Sequence, residues 1–96
     1  MLYAKDVTDE YFFLKIVLKR IYEEYNNTVI LRQYMMNILK KAKQLNHGEI
    51  DLYKIPSDCV KDVMYISRNC KEFLLNYDPT EELTSDDAKR ILEMLR

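Results

Sequence analysis

Few residues in this chain favour a sharp turn. Gly48 is the only glycine and Pro56 and Pro79 are the only prolines in 96 residues. Hairpins and sandwiches need repeated glycine, Asn-Gly or proline punctuation, whereas leucine, lysine and glutamate, which favour helices, are abundant in this sequence. The sequence therefore predicts an all-α fold built from few, long elements.

The composition is that of a folded domain. Hydrophobic residues make up 48% and charged residues 32% of the chain, which is too apolar for an intrinsically disordered segment. The length suits one domain, and a chain this short buries only a modest core. We therefore expect residues 1–96 to form a single helical domain.

Apolar residues recur at helical spacing in several segments. They predict helices at about 9–25, 28–46, 58–76 and 85–95. Gly48 can adopt the left-handed conformation that ends a helix, Ser57 is a suitable N-cap, and Thr84 with Asp87 approximates a capping box. The pattern predicts a small four-helix bundle-like domain, largely antiparallel, with a short final helix.

The two cysteines both fall on the third predicted helix, which predicts buried free thiols. Eleven residues of helix separate Cys59 from Cys70 by roughly 16 Å, too far for a disulfide. His47 with Cys59 is the nearest approach to a base and a nucleophile, but no HExxH, CxxC, GxSxG or glycine-rich phosphate motif is present. We predict no catalytic residue, no metal site and no cofactor, so the chain is not expected to be an enzyme.

A group of large side chains does not fit the apolar stripe of its own predicted helices. These residues are the candidate partner surface: Phe12, Phe13, Ile16, Met36, Tyr65 and Leu75. The first helix is apolar nearly all round at its start, which predicts burial on two sides. Eight tyrosines and no tryptophan also favour an interface, although tyrosines at the boundary of the core would serve equally well within one chain.

Charge is segregated along the chain, although its net value is only −1. No acidic residue lies between Glu24 and Glu49, a stretch that contains a candidate patch for phosphate or an acidic partner: Arg32, Lys40, Lys41 and Lys43. The candidate acidic patch follows later in the sequence: Asp78, Glu81, Glu82, Asp86 and Asp87. Each patch is also explained by the helix dipole, which favours cations at helix ends and anions at helix starts. As functional surfaces, the two would be complementary between two copies or toward a partner.

The functional expectation follows from these surfaces. No secretory leader and no apolar run of roughly 18 residues is present, which predicts a cytoplasmic protein without a membrane segment. We expect a non-enzymatic protein–protein interaction or adaptor module that binds a protein partner or forms a homodimer through its helix faces. The alternative is a small nucleic-acid-binding regulator that uses the basic second helix. Asp58 and Asp62 argue against it, because carboxylates at the start of a recognition helix repel DNA phosphate.

Overall fold

The computed structural model describes residues 11–24 and 28–95, apart from the side chain of Phe12. Its helices are α1 (Phe12–Glu23), α2 (Val29–Asn46), α3 (Val60–Asn69), α4 (Lys71–Asn76) and α5 (Ser85–Met94), with a 3-10 turn at Leu52–Lys54. The described residues contain no strand, so the predicted all-α class is confirmed. Residues 9, 10 and 25 of the first predicted helix lie outside the described ranges.

The helices pack in two main pairs. α1 packs chiefly against α5 and α2 chiefly against α3, while further contacts join α2 to α1 and α4. α1 and α5 are antiparallel: the Ser85 hydroxyl donates to the Ile21 carbonyl at one end (3.4 Å). At the other end the Tyr65 hydroxyl donates to the Leu95 carbonyl (3.2 Å), and its ring stacks on Tyr11 with centroids 3.7 Å apart. Every helix contributes to one shared core. Its largest fully buried side chains are Leu14, Val17, Leu18, Ile21, Met35, Ile38, Leu39, Val63, Ile66, Leu74, Leu83 and Ile91.

Gly48 ends α2 as the sequence predicts. Its φ is +71°, in the left-handed region where a side chain would be strained. The Gly48 N–H donates to the Leu45 carbonyl (3.2 Å) and the Glu49 N–H donates to the Gln44 carbonyl (2.8 Å). These two bonds form the Schellman motif, which satisfies carbonyls that the helix leaves without partners.

The start of the third helix differs from the prediction. α3 begins at Val60 rather than at Asp58, and its N-cap, Cys59, makes no side-chain capping bond. The preceding residues form a turn in which the Cys59 N–H donates to the Pro56 carbonyl (3.1 Å). This turn places Ser57 too far upstream to cap α3.

The predicted helix 58–76 is also divided in two. At Cys70 the backbone leaves the helical region (φ −123°, ψ 35°), which separates α3 from α4. In an unbroken helix the Ser67 carbonyl would accept from the Lys71 N–H; here it accepts from Asn46 Nδ2 of α2 (3.2 Å), and the Ser67 hydroxyl donates back to Asn46 Oδ1. A side chain that enters the backbone ladder in this way bends a helix. The Asn46 side chain of α2 therefore occupies the Ser67 carbonyl next to the break.

The start of α5 confirms the predicted capping box. The Asp87 N–H donates to Thr84 Oγ1 (3.0 Å), and the Thr84 N–H donates to Asp87 Oδ2 (3.2 Å). Leu83 and Ala88, which the sequence pairs as a hydrophobic staple, are both fully buried. The cap therefore starts α5 and also anchors it in the core.

Candidate functional site

Three of the predicted partner residues are exposed apolar side chains. Phe13 is 61% exposed, Ile16 39% and Leu75 68%. The exposure of Phe13 and Ile16 corrects the expectation that the start of α1 is buried on two sides. Exposed phenylalanine and isoleucine side chains one helical turn apart are typical of a contact surface.

The other three predicted partner residues are placed differently. Met36 and Tyr65 are partly buried and pack against the core, and Tyr65 is further held by its ring contact with Tyr11. The side chain of Phe12 lies outside the described residues. The structure therefore assigns Met36 and Tyr65 mainly to packing within the chain.

Phe13 belongs to an apolar surface that spans two helices. Its ring meets that of Tyr34 edge to face, with centroids 5.9 Å apart at 75°. Ile16 lies one turn beyond Phe13 on α1, and Ile30, which is 79% exposed, lies one turn before Tyr34 on α2. Because residues three or four positions apart are neighbours on a helix, these side chains adjoin. We call Phe13, Ile16, Ile30 and Tyr34 the α1–α2 surface.

Sequence reasoning missed Ile30. This residue precedes Leu31 and falls off the stripe that Leu31, Met35 and Ile38 form on α2. The same off-stripe criterion that selected Phe13 would have selected it. The exposed residues Val29, Leu52 and Tyr53 were missed as well.

Leu75 lies in another part of the molecule. It lines a shallow cavity with Asn46 and His47, at the C-terminal end of α2. Twelve residues of helix separate Asn46 from Tyr34, which is a distance of roughly 18 Å. The exposed partner residues therefore fall on two separate surfaces.

Arg32, the first member of the predicted basic patch, is buried and bound within the chain. Its side chain is only 8% exposed, and its guanidinium forms an ion pair with Glu82 of the predicted acidic patch. Its Nε also donates to Thr28 Oγ1 (3.3 Å). The two oppositely charged patches thus meet inside one molecule at this point.

Lys43 is also used within the chain. Its Nζ donates to the carbonyls of Leu74 (2.8 Å), Tyr77 (2.9 Å) and, more weakly, Leu75 (3.4 Å). These carbonyls are at the C-terminal end of α4, where helices leave carbonyls without partners and carry partial negative charge. Lys43 therefore acts as a cation at the C-terminal end of a helix, as predicted, but the helix is α4 rather than α2.

The predicted basic patch has two further members, Lys40 and Lys41. Lys40 is exposed and Lys41 is partly exposed. Each phosphate that a protein neutralises steepens the slope of log affinity against log salt concentration by roughly 0.9. A pair of lysines therefore contributes only a small electrostatic part of the binding free energy. The nucleic-acid alternative stays a prediction that depends on these two side chains.

The acidic residues have different local roles. Asp78 Oδ1 accepts from the Thr80 N–H (2.9 Å) and hydroxyl (2.6 Å), and these bonds hold the pKa of Asp78 below its usual range. Asp87 belongs to the capping box of α5, and Asp86 follows the same cap in the first turn. The helix-start interpretation therefore accounts for Asp86 and Asp87.

Comparison with known proteins does not identify the chain. No protein-family model, curated protein or solved structure matches it. No helix in the described part of the chain combines the length and apolarity needed to span a membrane. Within the same residues, no group of three or more His, Cys, Asp and Glu side chains could hold a metal ion.

The cysteine thiols are held in their protonated form. Both are free and buried. Burial raises the pKa of Cys70 to about 11, and burial, with a smaller contribution from Asp58, raises the pKa of Cys59. A nucleophilic cysteine needs a lowered thiol pKa instead.

His47, the predicted base nearest to a nucleophile, contacts an acid on its own loop. Its Nδ1 lies 3.7 Å from the carboxylate of Glu49, two residues further along the chain.

We expect the protein to lose stability above about pH 9. Burial raises the pKa of Cys70 from 9.0 to about 11. The pKa of Tyr77 rises from 10.0 to about 12, chiefly through burial and also through Asp87 and Asp78. The unfolded chain therefore releases these protons at lower pH than the folded protein, and the free energy of unfolding decreases between about pH 9 and 12.

Urea denaturation at a series of pH values from neutral to alkaline tests this expectation. The free energy of unfolding should be constant below pH 9 and then fall. Tyr77→Phe and Cys70→Ala should each make the alkaline decrease less steep. A profile that stays flat through pH 11, the folded pKa of Cys70, would show that the thiol is not desolvated in the folded protein.

Proposed function

We propose that this chain is a non-enzymatic protein–protein interaction module that self-associates through the α1–α2 surface. The observation that carries the proposal is the exposure of Ile30 (79%), Phe13 (61%) and Ile16 (39%) around the contact between Phe13 and Tyr34. Large apolar side chains that adjoin on a pair of packed helices are typical of interaction sites, whereas isolated ones are common on any surface.

The occupant that suits this surface is a second copy of the chain. A two-fold dimer places the same apolar patch on both sides, so no complementary partner surface is needed. The net charge of −1 leaves little overall repulsion between copies. Lys43 and Arg32 contact groups of their own chain, so the proposed contact does not depend on the predicted basic patch.

The size of the surface predicts reversible association. Burial of a large apolar side chain contributes about 1.5 to 3 kcal/mol when it is fully exposed beforehand, and correspondingly less for these partly exposed residues. A two-fold dimer buries Phe13, Ile16 and Ile30 from both copies. Scaled by the exposed fractions of these side chains, the gross gain of roughly 5 to 11 kcal/mol is comparable to the association cost of about 4 to 15 kcal/mol. We therefore expect a monomer–dimer equilibrium that depends on concentration.

Sedimentation over a wide range of protein concentrations tests the proposal, with Ile30→Asp as the diagnostic variant. The wild-type protein should shift from monomer to dimer as concentration rises. In the dimer, two aspartates would face an apolar interface, so the dissociation constant should rise by about tenfold or more. Ile30 lies in the first turn of α2, where an acid suits the helix dipole, so the monomer should remain folded.

The matched control is Tyr53→Asp. Tyr53 is 81% exposed, comparable to Ile30, but belongs to the 3-10 turn rather than to α1 or α2. This variant should associate like the wild type. A wild-type protein that is monomeric at every concentration would exclude self-association. An equal effect of both variants would exclude the α1–α2 surface as the interface.

A further inference from the structure

Three shallow cavities follow one another along the outward side of α3 and α4. The first has a volume of about 460 Å³, and the next two have volumes of about 270 and 310 Å³. Arg68 and Asn69 line both the first cavity and the second, and Lys71 lines both the second and the third. The cavities are therefore parts of one continuous groove. We call it the α3–α4 groove, and its main lining residues are Met64, Tyr65, Arg68, Asn69, Lys71 and Leu75.

Both ends of the groove are apolar. Met64 and Tyr65 are partly buried and line the first cavity, whereas Leu75 is 68% exposed and lines the third. Tyr65 and Leu75 belong to the partner surface that the sequence predicts, but neither is part of the α1–α2 surface. Tyrosine, methionine and arginine are enriched in protein–protein interfaces. The two ends of the groove thus offer apolar contacts to a partner.

The middle of the groove is positively charged. Arg68 and Lys71 are exposed, and within residues 11–24 and 28–95 neither side chain makes a hydrogen bond or an ion pair. Lys61 adds a third cation in the first cavity, while Glu72 is the one acid among the described residues that line the groove. In a chain of net charge −1, the groove therefore has a local excess of positive charge.

We propose that the α3–α4 groove binds an acidic amphipathic helix of another protein. The apolar side chains of that helix pack on Met64, Tyr65 and Leu75. Its carboxylates meet Arg68 and Lys71, and this complementarity of charge fixes its register. Ten residues of chain separate Tyr65 from Leu75, at most roughly 15 Å, which three turns of a partner helix span. This contact goes beyond the proposed self-association and does not depend on it.

A single strand of nucleic acid suits the groove less well. Such strands bind through cations together with aromatic rings on which the bases stack. One face of the Tyr65 ring is covered by Tyr11, with centroids 3.7 Å apart. Met64 and Leu75 are aliphatic and offer no ring for stacking. An acidic amphipathic helix, by contrast, uses both the cations and the apolar ends of the groove.

Fluorescence anisotropy of a labelled peptide tests the proposal. The probe is a peptide of about 15 residues, with leucines at the i, i+3, i+4, i+7 spacing of one helix face and glutamates elsewhere. The protein is the full chain with Ile30→Asp, which keeps the result independent of self-association. Binding should be saturable and should weaken as salt is added. The same peptide with glutamine in place of every glutamate should bind about tenfold more weakly. An oligothymidylate of similar charge, the nucleic-acid probe, should also bind more weakly than the acidic peptide.

Lys71→Glu is the diagnostic variant. Lys71 is the exposed first residue of α4, where an acid suits the helix dipole, so the protein should remain folded. The peptide carboxylates would then face a like charge, and the dissociation constant should rise about tenfold. Lys19→Glu, the matched control, makes the same change at an exposed lysine of α1 outside the groove and should leave binding unchanged. Leu75→Ala should raise the dissociation constant about fivefold, because apolar contact is lost.

Five results would overturn the proposal. They are absence of saturable binding, equal affinity for the glutamine peptide, equal effects of Lys71→Glu and Lys19→Glu, unchanged affinity in Leu75→Ala, and tighter binding of the oligothymidylate. The last result would assign the groove to nucleic acid instead. Sedimentation of Lys71→Glu without the Ile30 substitution covers the remaining occupant, because a loss of dimer in that variant would assign the groove to a second copy of the chain.

Discussion

Replacement of Lys43 by methionine should lower the free energy of unfolding by about 2 kcal/mol, because the last carbonyls of α4 lose a charged donor. In the folded protein Lys43 Nζ donates to the carbonyls of Leu74 and Tyr77 at 2.8 and 2.9 Å. Methionine retains most of the apolar stem, so packing changes little and the measurement isolates the hydrogen bonds. Urea denaturation followed by circular dichroism gives the difference.

Lys40→Met is the matched control for this variant. Lys40 is on the same helix and exposed, so the substitution should change the free energy of unfolding by less than about 0.5 kcal/mol. Equal effects of the two substitutions would mean that the Lys43 bonds contribute nothing to stability in solution.

The role of Lys43 in stability also decides how nucleic-acid binding should be tested. A variant that replaces Lys43 would lose stability, so only Lys40 and Lys41 should be replaced to test that alternative.

The largest loss of stability is expected from Leu18→Ala, at about 3 kcal/mol. Leu18 is fully buried on α1, the helix that packs against α5. The substitution leaves a cavity at a site where the surrounding helices relax only partly. Since a domain of this length is stabilised by roughly 5 to 14 kcal/mol in total, the variant should unfold at a clearly lower urea concentration.

Leu75→Ala makes the same chemical change at a position that is 68% exposed. Its effect should be below about 1 kcal/mol, because little apolar surface is withdrawn from water there. If Leu75→Ala proved as destabilising as Leu18→Ala, the assignment of Leu75 to the surface would be wrong. The pair therefore compares the core and the surface with one substitution.

Features that depend on near neighbours could be predicted from the sequence. At the end of α2 the Gly48 N–H donates to the Leu45 carbonyl, three residues earlier, and the Glu49 N–H donates to the Gln44 carbonyl, five residues earlier. Thr84 and Asp87 form their capping box across three residues. Such motifs involve one turn of chain, so the residues that make them are visible together in the sequence.

Features that depend on residues far apart in the chain could not be predicted from the sequence. The break at Cys70 involves Asn46 and Ser67, which are 21 residues apart. Lys43 reaches Leu74 across 31 residues, and Arg32 reaches Glu82 across 50. Helical periodicity places a side chain on a face of its helix, but it does not show which other element that face meets.

The candidate surfaces follow the same division. The sequence by itself determined the all-α class, the glycine stop of α2 and the capping box of α5, because these follow from helical spacing and local hydrogen bonds. Only the tertiary structure decided that Phe13 meets Tyr34, that Lys43 caps α4, and that the Tyr77 hydroxyl is buried. Each of these depends on how the helices pack, and packing is set by the combined burial of residues far apart in the chain.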